Sequence, residues 1–121
     1  AHPNTARIHL TGERGKATTI VGTSTGGGNI LVTEIDGLKV TFTAQCNTLL
    51  VVHWDRPGTI AAVSNYTATS GINIGNFQLS RTRKGGKAIM MLEIDGEVPD
   101  AIMDHLRAFD NIIDIILIRV G

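Results

Sequence analysis

Where the apolar run Val51-Val52 gives way to His53-Trp54-Asp55-Arg56-Pro57-Gly58-Thr59, an imidazole, a carboxylate and a glycine stand close together. An imidazole can donate and accept hydrogen bonds, a carboxylate accepts them, and glycine lets another molecule approach the backbone. Each residue also has a plain structural use. Asp55 can cap a following helix by accepting the free amides of its first turn, and His53 can be a solvated strand end. Other constellations are poorer. His2, His9, His53, His105 and Cys46 show no metal-ligand spacing, so no metal site is expected. Gly26 to Gly28 precede a strand rather than a helix and fail the spacing of a dinucleotide fingerprint, so they read as a tight turn. The basic cluster Arg81-Thr82-Arg83-Lys84 falls on a hairpin tip and reads as solvated.

The bulk of the sequence narrows the classes. At 121 residues the chain can bury one main core but cannot hold a multidomain enzyme. Eleven basic residues balance eleven acidic ones, and one Tyr, one Trp and three Phe make no stacking platform, so nucleic acid is not expected as a partner. No apolar run reaches the ~18 residues that span a bilayer and no signal pattern opens the chain, so no membrane association is expected and the cytoplasm is the expected compartment. The one cysteine, Cys46, makes no disulfide framework and fits a reducing setting. The opening AHPNT lacks an initiator Met and reads like the middle of a domain, so an excised piece is expected.

The elements that must position His53 and Asp55 follow from periodicity. Residues 1–46 form a β-rich segment: ARIHLT, KATTIVGTST, NILVTEI and LKVTFTA, with turns at Gly12 to Gly15, Gly26 to Gly28 and Asp36-Gly37. From 47 to 121 the grammar changes. The strand TLLVVH leads to a helix that Asp55 caps, with Pro57 in its first turn, Ile60, Val63 and Thr67 on one face, and Gly71 closing it. INIGNFQLSR and KAIMMLEID form a hairpin across Thr82 to Gly86. Pro99 to Phe109 is the strongest helix, with Val98, Ile102, Leu106 and Phe109 on one stripe, and NIIDIILIRV is the last strand. The order is βαββαβ, an α+β, ferredoxin-like arrangement with strand order 4-1-3-2 and both helices on one face. The other face, with Ile89 and Met91 on it, invites a partner subunit or the preceding β segment.

His53 to Gly58, followed by GINIGNFQLSR, GGKAIMMLEID and VPDAIMDHL, resembles an ACT domain, a βαββαβ module that binds amino acids in metabolic enzymes. The resemblance covers about residues 48–120. Within that group the chain is similar to the C-terminal domains of D-3-phosphoglycerate dehydrogenase and of the β subunit of iron–sulfur L-serine dehydratase. HPNTARIHL, TSTGGGNILVTEIDG and LKVTFTA look like the dehydratase β subunit and are not expected in the same form before a dehydrogenase ACT domain. That family converts L-serine to pyruvate and ammonia with a [4Fe–4S] cluster. The resemblance implies that the cluster belongs to the α chain or domain and that this fragment holds no cofactor. One cysteine cannot hold such a cluster, which needs about three protein thiolates with one iron left open.

The resemblance also implies an effector site at His53, Asp55, Arg56, Pro57, Gly58 and Thr59, completed by Asn73 and Ile74. An effector amino acid would give its ammonium to Asp55 and its carboxylate to the amides around Arg56 to Thr59, and would exchange a hydrogen bond with His53. One position departs from the pattern: serine-binding ACT domains of the dehydrogenase type usually carry Asn where Asp55 stands, and the extra charge alters what the site would select. Strand parallelism separates His53 from Asn73 by about 20 Å within one chain, so one ligand touching both requires two protomers. His2 and Asn4, with Thr5, match a segment that contributes to the substrate pocket of the full enzyme. The expected function is therefore a regulatory, amino-acid-sensing and dimerising fragment of an L-serine dehydratase, non-catalytic by itself. Its expected partners are a second copy paired through the ACT domains, the catalytic α subunit or domain, and L-serine or a related amino acid. A structural ACT pairing module without effector, and the serine-inhibited ACT tail of a phosphoglycerate dehydrogenase, are the alternatives.

Overall fold

The computed structural model describes residues 5–11, 17–26, 29–35, 37–43, 46–81 and 86–118. The segment holding His2 and Asn4, the turn at Gly12 to Gly15, Gly27 and Gly28, Asp36 and the hairpin tip 82–85 lie outside the described residues. The strands β1 (Thr5–Thr11), β2 (Ala17–Gly26), β3 (Asn29–Ile35) and β4 (Leu38–Thr43) pair in sequence order as an antiparallel sheet. The second half runs β5 (Asn47–Trp54), α1 (Thr59–Thr69), β6 (Asn73–Arg81), β7 (Lys87–Asp95), α2 (Asp100–Arg107) and β8 (Ile112–Ile118). Its sheet has the order β6-β7-β5-β8, which is the expected βαββαβ topology, and both strands neighbouring β5 run antiparallel to it.

Alternation along β5 explains how this sheet is held. Leu49 and Val51 point to one face, where they pack with Val63 of α1, Met103 and Leu106 of α2, and Met90, Leu92 and Ile94 of β7. Leu50 and Val52 point to the other face with Ile89, Met91 and Ile113. That second face is covered by Val32 and Ile35 of β3 and by Leu38 and Val40 of β4. The β-rich segment is therefore the element that covers the face carrying Ile89 and Met91. An antiparallel strand covered on one face alternates apolar with polar; β5 reads as an unbroken apolar run because it is covered on both.

Local chemistry sets the helix limits. α1 starts at Thr59, so Pro57 lies before the helix rather than in its first turn, and the N-cap is Gly58 at φ 86°, with no side-chain cap. Asp55 does not cap α1, in contrast to the sequence expectation. The left-handed conformation at Gly58, which a side chain would disfavour, turns the chain from strand to helix instead. At the other end the Gly71 amide donates to Ala68 O at 3.2 Å and the Ile72 amide to Thr67 O at 3.0 Å, with Gly71 at φ 82°. These two bonds are the glycine-closed helix end that the sequence signalled. α2 is shorter than its apolar stripe, Asp100–Arg107, and Pro99 stands as its N-cap.

A shared core predicts shared unfolding. Ile35→Ala, which truncates a fully buried side chain of β3, is expected to cost about 2–4 kcal/mol. Urea unfolding followed by Trp54 in β5, the only tryptophan, should shift by that amount in a single transition. An unmoved Trp54 transition would mean that the two sheets melt separately.

Candidate functional site

The site grows from the last residues of β5. His53 follows Leu49 and Val51 in the alternation and so points to the helix face, and its register partners are Ala88 on β7 and Ile112 on β8. It is 1% exposed. Its Nδ1 lies 2.9 Å from the carbonyl of Trp54. A carbonyl only accepts, so Nδ1 carries the proton, and the Nε2 of a neutral ring is left as an acceptor. That Nε2 is buried with no partner among the described residues.

After His53 the chain is pinned on both sides. The Trp54 amide donates to Asn111 O at 2.8 Å and the Asp55 amide to Gly86 O at 2.7 Å, tying the corner to the approaches of β8 and β7. Asn111 takes a left-handed φ of 70° at that point. Arg56, Pro57 and Gly58 are exposed, and a methyl group added at Gly58 would meet no atom within 4 Å, so the space before α1 is open. Thr59, the first residue of α1, is 4% exposed, and its Oγ1 is buried without a partner among the described residues. The first-turn amides of Ile60 and Ala61 have no acceptor among the described residues. A helix start with free amides carries a partial positive charge that suits a carboxylate. The buried His53 Nε2 and Thr59 Oγ1 lie at the same end of the same face.

Asp55 has a partner that the sequence did not suggest. Its Oδ2 lies 3.2 Å from Nη1 of Arg81, the last residue of β6, with the two side chains 11% and 58% exposed. Arg81 pairs in register with Ala88, which in turn pairs with His53. Arg81, Ala88 and His53 thus form one row across three strands, on the helix face. In the sequence alone Arg81 reads with Arg83 and Lys84 as part of a solvated tip. Its signal was the hairpin register combined with the strand order, which together set it two strands away from the β5 corner, in the same row.

Asn73 and Ile74 are elsewhere. Asn73 pairs with Asp95 while His53 pairs with Ala88, seven residues away along β7, a separation of about 23 Å. Alternation puts Ile74, half-buried, on the helix face. Asn73 lies on the other face, where its Nδ2 donates to Asp95 Oδ2 over a long 3.5 Å, both side chains exposed. One chain therefore gathers His53, Asp55 and Thr59 with the exposed loop 56–58, and holds Asn73 and Ile74 at the opposite end of the sheet.

The residues do not fit an iron–sulfur cluster, because the only cysteine is Cys46, which is exposed. No group of three or more His, Cys, Asp or Glu that could hold a metal occurs among the described residues. No helix among them is long and apolar enough to cross a membrane.

Residues 49–114 match the family model of the AHAS small subunit-like ACT domain. The chain is 40% identical over 114 residues to a probable L-serine dehydratase, beta chain, of Bacillus subtilis, covering 94% of this chain and 51% of that one. It is 33% identical over 90 residues to a D-3-phosphoglycerate dehydrogenase of Methanocaldococcus jannaschii, covering 74% of this chain and 17% of that one. It is 29% identical over 108 residues to a D-3-phosphoglycerate dehydrogenase of Mycobacterium tuberculosis, covering 88% of this chain and 20% of that one. The chain thus spans about half of the dehydratase β chain and a fifth or less of the dehydrogenases. Both dehydrogenase alignments are longer than the stretch from residue 49 to 121, so both take in residues before the ACT domain as well. The β-rich segment therefore does not by itself separate the two kinds of relative, and the higher identity is to the dehydratase chain.

The unpartnered hydroxyl of Thr59 gives a stability prediction. Thr59→Val keeps the shape and removes a buried polar atom without a partner, so the ligand-free chain should gain about 1 kcal/mol, read as a higher urea midpoint. A loss of stability of that size would show that the hydroxyl already has a partner.

Proposed function

The chain belongs to the ACT-domain family, and from that premise we propose that it is the regulatory part of an L-serine dehydratase β chain. It senses L-serine or a related amino acid, pairs with a second copy of itself, and does not catalyse alone. The observation that carries this reading is the pair of buried polar atoms, His53 Nε2 and Thr59 Oγ1, left without partners beside the free amides of α1. Each such atom costs roughly 1–3 kcal/mol in the empty chain, a cost that a bound polar ligand removes. A small hydroxy amino acid matches the corner group by group. Its carboxylate accepts from the amides of Ile60 and Ala61, its ammonium meets Asp55, and its hydroxyl donates to His53 Nε2 once the corner opens enough to uncover that buried nitrogen.

The edge of the sheet supports the pairing. β6 is an edge strand, and its Phe77, on the helix face opposite Leu92, is 39% exposed. An open edge with an exposed aromatic is a template for another strand. Two copies of β6 laid antiparallel over their full length centre on Phe77, and Asn73 of the second copy then falls opposite Arg81. Ile74 of one copy, which lies on the helix face, thereby comes beside the Arg81 end of the row that leads to His53 of the other, and Asn73 joins it only by turning from the opposite face, so that in this reading ligand binding and pairing bias one another. Asn73 would turn away from its long, exposed bond to Asp95 to do so. In this reading the iron–sulfur cluster and its cysteines belong to a catalytic α chain or domain, to which the ACT pair reports. Identity of 29–33% to dehydrogenases supports a second reading, in which the same corner binds serine in the ACT tail of such an enzyme.

Titration calorimetry of the full chain with L-serine should show saturable heat. Asp55→Ala should weaken binding by about tenfold to a hundredfold, the worth of one charge-assisted hydrogen bond. No heat at millimolar serine would remove the sensing reading. Phe77→Glu should turn a dimer into a monomer by light scattering with the fold unchanged by circular dichroism, and an unaffected dimer would place the pairing surface elsewhere.

A further inference from the structure

We propose that Arg81 is a specificity-determining residue that restricts the corner to zwitterions, admitting α-amino acids and turning away simple amines and simple carboxylic acids. The inference rests on the amino-acid reading of the site and adds to it the charge rule by which the site chooses. In the ligand-free chain Asp55 is not a bare anion. Arg81 Nη1 holds its Oδ2 at 3.2 Å, and the carboxylate side is nearly enclosed while the guanidinium side is largely exposed. A ligand ammonium that approaches Asp55 therefore competes with a resident cation.

The outcome depends on what else the ligand carries. A simple amine must displace Arg81 from Asp55 and gains no second ion pair in return, the largely exposed guanidinium going back to water. An α-amino acid brings its own carboxylate and exchanges partners: one ion pair, Asp55 with Arg81, becomes two, Asp55 with the ammonium and Arg81 with the carboxylate, whose remaining lone pairs accept from the amides of Ile60 and Ala61. A carboxylic acid without an amine gains Arg81 but leaves Asp55 unpaired. The geometry allows the exchange. Arg81 and His53 flank Ala88 in one row on one face, so their Cα atoms are about 10 Å apart, and Ala88 between them carries only a methyl group. A ligand set between His53 Nε2 and the start of α1 has its charged end toward Arg81. The guanidinium's planar fork is suited to a carboxylate as its second partner. Arg81 also sits where Asn73 of a second copy arrives in the pairing proposed above, so the same exchange takes place at the copy-to-copy boundary.

The test uses the full chain and three ligands related by deletion: L-serine, ethanolamine, which lacks the carboxylate, and 3-hydroxypropionate, which lacks the ammonium. Calorimetry of the wild-type chain should rank L-serine first, with both truncated ligands weaker by about tenfold or more. In Arg81→Gln, L-serine and 3-hydroxypropionate should weaken by about tenfold while ethanolamine binds more tightly than to the wild type, because Asp55 is released. Arg81→Lys should restore most of the preference for L-serine. Arg81 is exposed, so circular dichroism and thermal unfolding of both variants should match the wild type. If L-serine binds the wild type and Arg81→Gln leaves the serine-to-ethanolamine ratio unchanged, the role of Arg81 is overturned and the sensing site stands. If no amino acid binds the wild type, the sensing reading falls and this inference falls with it.

Discussion

The burial of β5 on both faces is the constraint from which the rest of the molecule follows. Leu49 and Val51 are sealed by the two helices, Leu50 and Val52 by β3 and β4 of the upstream sheet, and the central strand of the ACT fold has no wet side. A polar residue that continues such a strand is carried into the interior with it. His53 is that residue, and its ring is dry although it stands at a strand end. Burial that leaves one ring nitrogen unanswered is unfavourable for a free chain. It is intelligible where a small polar molecule comes and goes. The bonds from Trp54 to Asn111 and from Asp55 to Gly86 hold the corner against β8 and β7, so the polar atoms stay pre-set rather than collapsing onto one another.

Much of this was legible in the residues. The unbroken apolar stretch TLLVVH, the alternation in KAIMMLEID and the stripe through Leu106 and Phe109 fixed the elements, and their order gave the strand order. Gly71 was readable as a helix end because few other residues take its conformation. The four upstream strands were readable from β-branched runs broken by glycine. Which surface they would cover was not, since an apolar sheet face does not name its partner: Ile89 and Met91 could have met another subunit, and they meet Ile35 and Leu38 instead.

The wiring of the candidate corner was not legible in the sequence. His53, Asp55 and Thr59 are brought together as the motif suggests, and Asn73 stands at the far end of the sheet as parallel strands require. Asp55 is where local reasoning fell short. An acidic residue ahead of a helix is ordinarily its cap, yet Gly58 turns the chain so that α1 starts four residues after Asp55, and the carboxylate reaches Arg81 across the row through Ala88. Such a pair is encoded by the register of three strands at once, a long-range property that no short window of sequence contains. The Asp55–Arg81 pair also bears on the one departure from the pattern that the resemblance led one to expect, Asp55 in place of Asn. In the proposed reading an acidic residue there suits a zwitterionic ligand because Arg81 stands beside it.

The central claim is that a small amino acid occupies the corner at His53, and nitrogen NMR of the imidazole tests it most directly. In the ligand-free chain His53 should show a protonated Nδ1 and a bare, acceptor-type Nε2, assigned by its loss in His53→Gln. Saturating L-serine should move the Nε2 resonance as that nitrogen accepts a hydrogen bond, and leave Nδ1 in place against the Trp54 carbonyl. An Nε2 resonance that stays unchanged at saturating serine would contradict the account.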